Sequence, residues 1–488
     1  MRPAGGLRAA AAMATVAVLA LLDDATVFAQ VTSGLGDTET LEVHARPVLE
    51  TASDLGSHAE TLTADDVGDA QAWSMDDLLR REPSFGVFRR ASSLVANPTT
   101  EGVALHGLGG TAASRALVLL DGVPLNDPFG GWVSFARVPL AAVTRIELLA
   151  GGAPRPWSTE SLSGVIAIES DAEASAPTHA ATARLDARGG TQGSVAIDLG
   201  IADRREWPLP ALAVSIARTD GWVTIDADQR GAVDVPAWSE HGFVDGRVEL
   251  VDRDDARWSV GGSLFDERRG NGTPLTGNDT QLGTLRTRAR LAAPGAGAFD
   301  VAGYAQWERF ASRFSAVDET RDSEALTLDQ FSVPASAYGG SVVWSGGWNV
   351  ATRAGLAARD TDGATHEDFR RVAGELTRRR RAGGALSTVG GFLEQDLALG
   401  GLADVELSVG ADRFATHDGS RVERDLASGQ VTRDDSLPDR STWLVTPRIG
   451  VESRALDGWR LRAAASRSAR TPTLNELYRP FRVGNDVT

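Results

Sequence analysis

The feature that most constrains the fold of this chain is the repeated alternation of apolar and polar residues between residues 178 and 488. Leu185 and Ala187, for example, alternate with Arg184, Asp186 and Arg188. Side chains of a strand point alternately to its two faces, so a period of two predicts half-buried β-strands. Fully charged polar partners are typical of strands that line a wet barrel lumen. The pattern therefore predicts a β-barrel, with a soluble exported β-protein as an alternative.

The connections between these segments, and the tryptophans near their ends, also favour a barrel. A short Gly-bearing turn at Arg188–Thr191 contrasts with long polar stretches, which we interpret as loops. These stretches are Thr219–Gly242, Glu267–Gln281, Ser315–Ser336 and Thr416–Asp439. The tryptophans near predicted strand ends are Trp258, Trp307, Trp344 and Trp459. Short turns at one end, long loops at the other and aromatic girdles are typical of outer-membrane barrels.

The N-terminus predicts export. Arg2 and Arg8 precede an Ala-rich apolar run from Ala9 to Leu22, and small residues follow at the usual cleavage positions. We therefore interpret residues 1–29 as a signal peptide. The run is shorter than the roughly 20 residues that a membrane-spanning helix needs, and no later run approaches that length. If the chain lies in a membrane, it must span it as a closed barrel, because lipid leaves no other way to pair the backbone.

Composition and motifs exclude several classes of function. The net charge of −17 argues against a nucleic-acid partner. With no cysteine, the chain has neither disulfides nor thiolate metal sites. Its seven histidines show no ligand spacing, and Ser114 lacks the Gly-x-Ser-x-Gly context of a hydrolase nucleophile. Gly107–Gly110 lacks the pattern of a phosphate loop. The sequence therefore predicts no enzyme, no catalytic residues, no metal site and no cofactor.

A different kind of sequence precedes the alternating region and is centred on Ala113–Trp132. Ala116–Leu120 is a continuous apolar run, short enough to be a strand buried on both faces. Asp121–Gly122 then breaks the run as a turn would, and a second compact turn follows at Asn126–Pro128. The stretch predicts a buried strand that delivers a rigid loop. Two short helices are predicted upstream, at Thr63–Asp66 and Met75–Arg81.

Five segments of this region resemble, in order, the plug domain of TonB-dependent outer-membrane transporters. They are Met75–Arg80, Val103–Gly110, Leu117–Pro128, Val143–Leu149 and Leu162–Ile168. Five matches in family order argue against coincidence, although any one motif would be only a hypothesis. Near the end of the chain, Ser468–Tyr478 resembles a motif that the family carries well inside its barrel.

The resemblance implies a mainly β fold. A small α+β plug domain at residues 48–172 would be followed by a transmembrane antiparallel β-barrel at residues 178–488. The family's plugged barrel has about 22 strands. Only about a dozen alternating segments are present here. We therefore expect a truncated barrel.

Residues 30–47 are polar, and we interpret them as a flexible N-terminus. Within it Thr40, Leu41, Glu42, Val43 and His44 alternate, a pattern suited to adding a strand to the sheet edge of a partner. In position and pattern the segment resembles the TonB box, which implies that it binds the periplasmic domain of TonB. An ordinary tail or the first plug strand is the alternative.

The resemblance also implies two ligand-binding plug loops. Their candidate contacts are Arg89, Arg90, Asn126, Asp127, Phe129 and Trp132. The implied function is import of a scarce nutrient, of the ferric siderophore or cobalamin class, across the outer membrane with energy from the inner-membrane TonB complex. The implied partners are TonB, outer-membrane lipid and a small-molecule ligand such as a metal chelate or cobalamin. A passive porin, or a non-functional truncated barrel with a vestigial plug, is the alternative.

This sequence departs from the family at two plug positions. His106 and Ala150 stand where the family usually has arginines that pair with barrel carboxylates. The sequence therefore leaves those carboxylates without their usual plug partners.

Overall fold

A computed structural model describes residues 59–89, 91–151, 160–170, 181–203, 209–347, 350–453, 461–480, 482–483 and 486–487. Several predicted features lie outside these residues: the signal peptide, the segment Thr40–His44, Arg90, the linker after the plug and Trp459. In the described part of the chain, no helix is both long enough and apolar enough to cross a membrane.

The regular elements of the described residues are three short helices and a long series of strands. The helices are α1 (Ala64–Asp69), α2 (Met75–Leu79) and α3 (Leu474–Tyr478). The first strands are β1 (Ala59–Thr63), β2 (Phe85–Val87), β3 (Val103–Leu105), β4 (Ala116–Leu120), β5 (Val123–Pro124), β6 (Arg145–Ala150) and β7 (Gly164–Glu169).

Longer strands follow along the rest of the chain. They are β8 (Ala181–Gly189), β9 (Val195–Asp203), β10 (Leu209–Trp222), β11 (Ala237–Asp252), β12 (Ala256–Gly270), β13 (Gly277–Ala293), β14 (Gly297–Val317), β15 (Glu324–Gly346), β16 (Ala351–Val372), β17 (Glu375–Leu399), β18 (Ala403–Asp425), β19 (Val431–Ser436), β20 (Arg440–Ser453) and β21 (Leu461–Ser466), then the short β22 (Arg482–Val483) and β23 (Asp486–Val487).

The first seven strands and two helices form a small α+β unit, the plug. Its five-stranded sheet has the order β1-β6-β7-β4-β5, with β4 parallel to β7, and β2 pairs with β3 separately. Helix α1 begins where the sequence predicts, at a capping box in which Thr63 and Asp66 bond to each other's backbone amide. Helix α2 lies within the predicted helix Met75–Arg81 and buries Leu78 and Leu79.

Strand β4 is buried on both faces, as the apolar run predicts. Ala116 and Val118 face the plug core. Leu117 and Leu119 face the opposite way and belong to a cluster that includes Tyr304 of β14. Because a strand alternates its side chains, this single strand contributes both to the plug's own core and to its contact with the long sheet.

Strands β8 to β21 form one antiparallel 14-stranded sheet. Each strand from β8 to β17 pairs with the next one in the chain, β18 pairs with both β19 and β20, and β20 pairs with β21. On one face the sheet exposes apolar side chains, and Leu356 and Val389 are 70% and 58% exposed. On the other face it buries charged side chains, and Glu394 and Arg380 are 1% and 2% exposed. A soluble sandwich has the opposite arrangement, whereas a membrane barrel has this one. The mainly β architecture of a plug followed by a barrel is confirmed.

Three of the four predicted long loops are largely wrong, because the strands run far into them; in the fourth, Thr219–Gly242, residues 223–236 do form a long connection. Strand β15 begins at Glu324, inside the predicted loop Ser315–Ser336, and β18 continues to Asp425. The polar side chains there pair across neighbouring strands; Arg421 Nε of β18, for example, lies 3.3 Å from Asp435 Oδ2 of β19. Such cross-strand pairs stabilise a polar strand, so polarity alone does not predict a loop.

The sequence predicts that the short turn Arg188–Thr191 lies at the opposite end of the barrel from the long connections, and the structure shows otherwise. Successive strands run in opposite directions, so every second connection lies at the same end of the sheet. The connection from β8 to β9 therefore lies at the same end as the long connection 223–236 between β10 and β11. The short connections 253–255, 294–296 and 400–402 lie at the other end.

Candidate functional site: the interface between plug and barrel

The loop Asn126–Trp132 begins with a buried side chain that completes the edge of β4. Asn126 Oδ1 accepts a hydrogen bond from the amide of Val118 at 2.9 Å. Its Nδ2 donates to the carbonyl of Ala116 at 3.1 Å. Asn126 is therefore a structural member of the plug, because its amide group takes the place of a neighbouring strand.

Asp127 holds the turn that follows. Its Oδ1 accepts hydrogen bonds from the amides of Phe129 at 2.9 Å and Gly130 at 2.5 Å. Its carbonyl accepts from Gly131 at 2.9 Å, and its amide donates to the carbonyl of Trp132 at 2.7 Å. Gly131 has φ +75, a conformation that glycine adopts at little cost. One carboxylate therefore organises the loop, which is a common use of Asp in turns.

The aromatic residues of the loop connect the plug to the sheet and to helix α3. The ring centroids of Trp132 and Phe310 of β14 are 5.3 Å apart. Phe129 is 1% exposed and belongs to the same cluster, together with Leu474 and Tyr478 of α3. The cluster therefore joins three parts of the chain that lie far apart in sequence.

Helix α3 is fixed to the plug loop through its first turn. Thr473 and Glu476 form a capping box, and the Asn475 amide donates to the carbonyl of Phe129 at 2.9 Å. The family resemblance identified the motif Ser468–Tyr478, but no sequence signal predicted its contact with the plug loop.

The predicted ligand contacts occupy two kinds of environment. Asn126, Asp127, Phe129 and Trp132 are brought together, but they are buried inside the interface. Arg89 is exposed, and its carbonyl accepts a hydrogen bond from Arg80 Nη2 at 3.4 Å. The contact of these residues with a ligand stays a prediction. For the four buried residues it requires that the loop first move away from the sheet.

Two ion pairs between plug and barrel have the opposite polarity to those that the resemblance implies. Here the plug supplies carboxylates and the barrel supplies guanidinium groups. Asp121 Oδ2 lies 3.3 Å from Arg286 Nη2 of β13, and Glu160 bonds to Arg359 Nη1 of β16. His106, at one of the family's arginine positions, is exposed.

Buried carboxylates of the barrel also pair with arginines of neighbouring strands. Arg448 Nε of β20 donates to Glu406 Oε1 of β18 at 2.8 Å. Arg353 Nη1 of β16 lies 3.4 Å from Glu394 Oε1 of β17. Charge on this part of the wall is therefore balanced between neighbouring strands.

A second plug loop is held by donors from the barrel. Arg269 Nη1 of β12 donates to the carbonyl of Ala96 at 3.0 Å, and its Nη2 donates to Glu267 at 2.7 Å. Ser239 Oγ of β11 donates to the carbonyl of Leu94 at 2.6 Å. These contacts fix the stretch that follows Arg89, and nothing in the sequence predicted them.

Cavities remain between plug and wall. One of about 180 Å³ lies between residues 141–144 of the plug and strands β8 to β11, and Arg184, Asp245 and Arg247 contribute to its lining. A smaller one of about 50 Å³ is lined by Asp127, Glu160 and Arg359, among others. The described interface therefore combines tightly packed contacts with spaces large enough for water.

An α+β plug packed against the charged face of a long antiparallel sheet, with apolar side chains on the opposite face, defines the class of plugged outer-membrane β-barrels. Comparison with known families agrees. A model described as the TonB-dependent receptor plug domain matches residues 51–165. A model described as the TonB-dependent receptor-like β-barrel matches residues 220–487. The chain belongs to the TonB-dependent receptor family, a family of outer-membrane transporters and receptors.

Individual relatives agree with this assignment. The vitamin B12 transporter BtuB of Vibrio cholerae serotype O1 is 32% identical over 130 residues, which cover 27% of this chain and 20% of BtuB. The ferric citrate transporter FecA has a TM-score of 0.61 at 14% identity, covering 85% of this chain and 63% of FecA. The ferric yersiniabactin uptake receptor FyuA from Yersinia pestis has a TM-score of 0.60 at 15% identity, covering 84% and 64%. This chain thus spans less than two thirds of either solved structure.

Proposed function

We propose that the chain acts in the uptake of a scarce nutrient across the outer membrane, driven by TonB. The ligand class is a metal chelate or cobalamin. The observation that carries the proposal is the buried loop Asn126–Trp132, which is packed against both the barrel wall and α3. A plug held in this way needs an input of energy to move, and a passive pore has no use for such a contact. Family membership and the similarity to BtuB support the ligand class.

In this proposal the N-terminal residues have two roles. Residues 1–29 direct export and are removed, and Thr40–His44 bind the sheet edge of TonB. The plug occupies residues 48–172 and the barrel begins at residue 178. Arg89, Arg90 and the Asn126–Trp132 loop contact the ligand once the loop is released. A passive porin with a vestigial plug is the rival function, and it requires no TonB.

The test is deletion of Thr38–Ala45, followed by uptake of labelled cyanocobalamin and of a labelled ferric chelate into cells. We expect uptake to be lost while binding to isolated outer membranes is kept. Deletion of Val31–Asp37 in the preceding tail, one residue shorter, is the control and should leave uptake unchanged. Uptake that continues without Thr38–Ala45 would support the porin and contradict our proposal. Sequencing the mature N-terminus tests the export role, with Gln30 expected as the first residue.

A further inference from the structure

Two carboxylic acid side chains face each other at the plug–barrel interface. Asp127 belongs to the plug loop and Glu308 belongs to β14, and they are 7% and 6% exposed. Their side chains are within hydrogen-bond contact of each other. Two ionised carboxylates cannot form a hydrogen bond, because neither has a proton to donate. Because both side chains are buried, the contact requires that the pair hold one proton.

The charges around the pair also balance with one proton. Arg137 of the plug is buried, and its Nη1 donates to the carbonyl of Leu125 at 3.2 Å. Burial lowers the pKa of Arg137 to about 10, so it stays protonated at neutral pH. One arginine, one carboxylate and one neutral acid sum to zero charge, whereas loss of the proton would leave a net negative charge in the interior.

The other charged groups around the same loop already have partners. Glu160 and Arg359 line the small cavity beside Asp127 and bond to each other. Arg470, which lines the cavity from the segment before α3, lies 2.8 Å from Glu476. Arg137 is therefore the cation that compensates the pair.

The hydrogen bonds indicate which oxygen atoms carry the negative charge. Asp127 Oδ1 accepts two backbone amides, which stabilise an ionised carboxylate. Glu308 Oε2 is buried and has no hydrogen-bond partner within the described structure. An ionised oxygen in that position would be costly, whereas a neutral acid is tolerated. The proton therefore belongs on Glu308, which donates it to Asp127.

We propose that Asp127 and Glu308 are positioning residues that share one proton, and that this proton fastens the Asn126–Trp132 loop of the plug to strand β14. The fastening depends on pH. When the proton is lost, two negative charges face each other at the interface and the loop is pushed from the wall.

The direction of the pH dependence follows from the burial of the pair. Burial raises the pKa of Asp127 above its usual value, which favours the protonated pair in the closed loop. In the open loop water surrounds both acids, and both ionise near their ordinary pKa. Closing the loop therefore takes up a proton, so the closed state is favoured at low pH and weakened as the pH rises.

The test is hydrogen exchange of the Phe129 and Gly130 amides in the full chain, in detergent micelles, from pH 5 to pH 9. After correction for intrinsic exchange rates, we expect loop opening to increase by up to about tenfold per pH unit between the pKa values of the open and closed pair. Glu308→Gln supplies a hydrogen-bond donor without a titratable proton. It should make loop opening independent of pH and preserve the closed loop at pH 9.

Two further variants make the result decisive. Asp127→Asn keeps the acceptor for the two amides and places its own donor toward Glu308, so it should also remove the pH dependence. It replaces Glu308→Gln as the test if that variant does not fold. Glu394→Gln changes another buried barrel acid, far from the loop in sequence, and should retain the pH response. Equal pH responses of the native chain and Glu308→Gln, or no pH response in the native chain, would overturn the proposal.

Discussion

Arg286 Nη2 on β13 lies 3.3 Å from Asp121 Oδ2 in the turn after β4 and 2.7 Å from Asp245 Oδ1 on β11. One barrel guanidinium therefore compensates a plug carboxylate and a barrel carboxylate together. The side chains of all three residues are only 10% exposed. Arginine suits such a contact, because its planar guanidinium group donates hydrogen bonds to two acceptors in fixed directions.

Replacing Arg286 by methionine should destabilise the attachment of the plug. The change leaves Asp121 and Asp245 buried without their shared cation, which typically costs about 3–5 kcal/mol. Thermal unfolding in detergent and cleavage of the plug by protease measure the loss. Arg218→Met is the control, because Arg218 and Asp220 form an exposed pair with side chains 67% and 59% exposed, and such pairs contribute little. If Arg286→Met unfolds at the native temperature and resists protease as the native chain does, the contact does not stabilise the plug.

Exchanging the charges of Glu160 and Arg359 tests the reversed polarity of the interface. Glu160→Arg and Arg359→Glu each place like charges together and should loosen the plug, as seen in protease sensitivity. The double variant restores opposite charges and should regain stability, with a coupling free energy of about 0.5–3 kcal/mol. Strictly additive effects would show that these residues do not interact.

Glu169, at the end of β7, should make the stability of the plug depend on pH. Burial raises its pKa from 4.5 to about 7, an effect that nearby Arg288 opposes and Asp121 reinforces. A carboxyl group whose folded pKa is raised contributes stability below its unfolded pKa and loses it as the pH rises through its folded pKa. Glu169→Gln should therefore match the native chain at pH 4 and be more stable at pH 8, as measured by thermal unfolding. Equal differences at both pH values would contradict this assignment.

Leu356 tests whether the apolar face of the sheet contacts lipid. Arginine at the middle of a lipid-facing strand costs about 2–4 kcal/mol, so Leu356→Arg should reduce folding into lipid vesicles. Leu402, which is 67% exposed in a short connection, is the matched control, and Leu402→Arg should fold normally. Equal folding of the two variants would favour a sheet that does not face lipid.

The plug could be predicted from the sequence because its signals are local. The capping residue Thr63, the apolar run Ala116–Leu120 and the turn at Asp121–Gly122 each determine structure within a few neighbouring residues. Strand alternation in the barrel is equally local, and it predicted both the strands and the faces they expose. The strand lengths could not be predicted, because a polar hairpin resembles a loop until cross-strand pairs such as Arg421 with Asp435 are known.

The interface could not be predicted, because its partners are distant in sequence. Glu160 and Arg359 are separated by 199 positions, and Asp121 and Arg286 by 165. A single sequence gives no register between such residues. The four buried loop residues were interpreted as ligand contacts from the family resemblance, which carries no information on their exposure in this chain.

The pairing of barrel charges between neighbouring strands has a consequence for the motion of the plug. Glu394 with Arg353 and Glu406 with Arg448 remain compensated whether or not the plug is in place. Displacement of the plug therefore leaves this part of the lumen electrically neutral. Water that enters it meets carboxylates that are still paired with arginines. The described contacts that resist displacement are those between plug and barrel, such as the ion pairs of Arg286 and Arg359. The rate of displacement should respond to single substitutions there and be insensitive to substitution of the strand-to-strand pairs of Glu394 and Glu406.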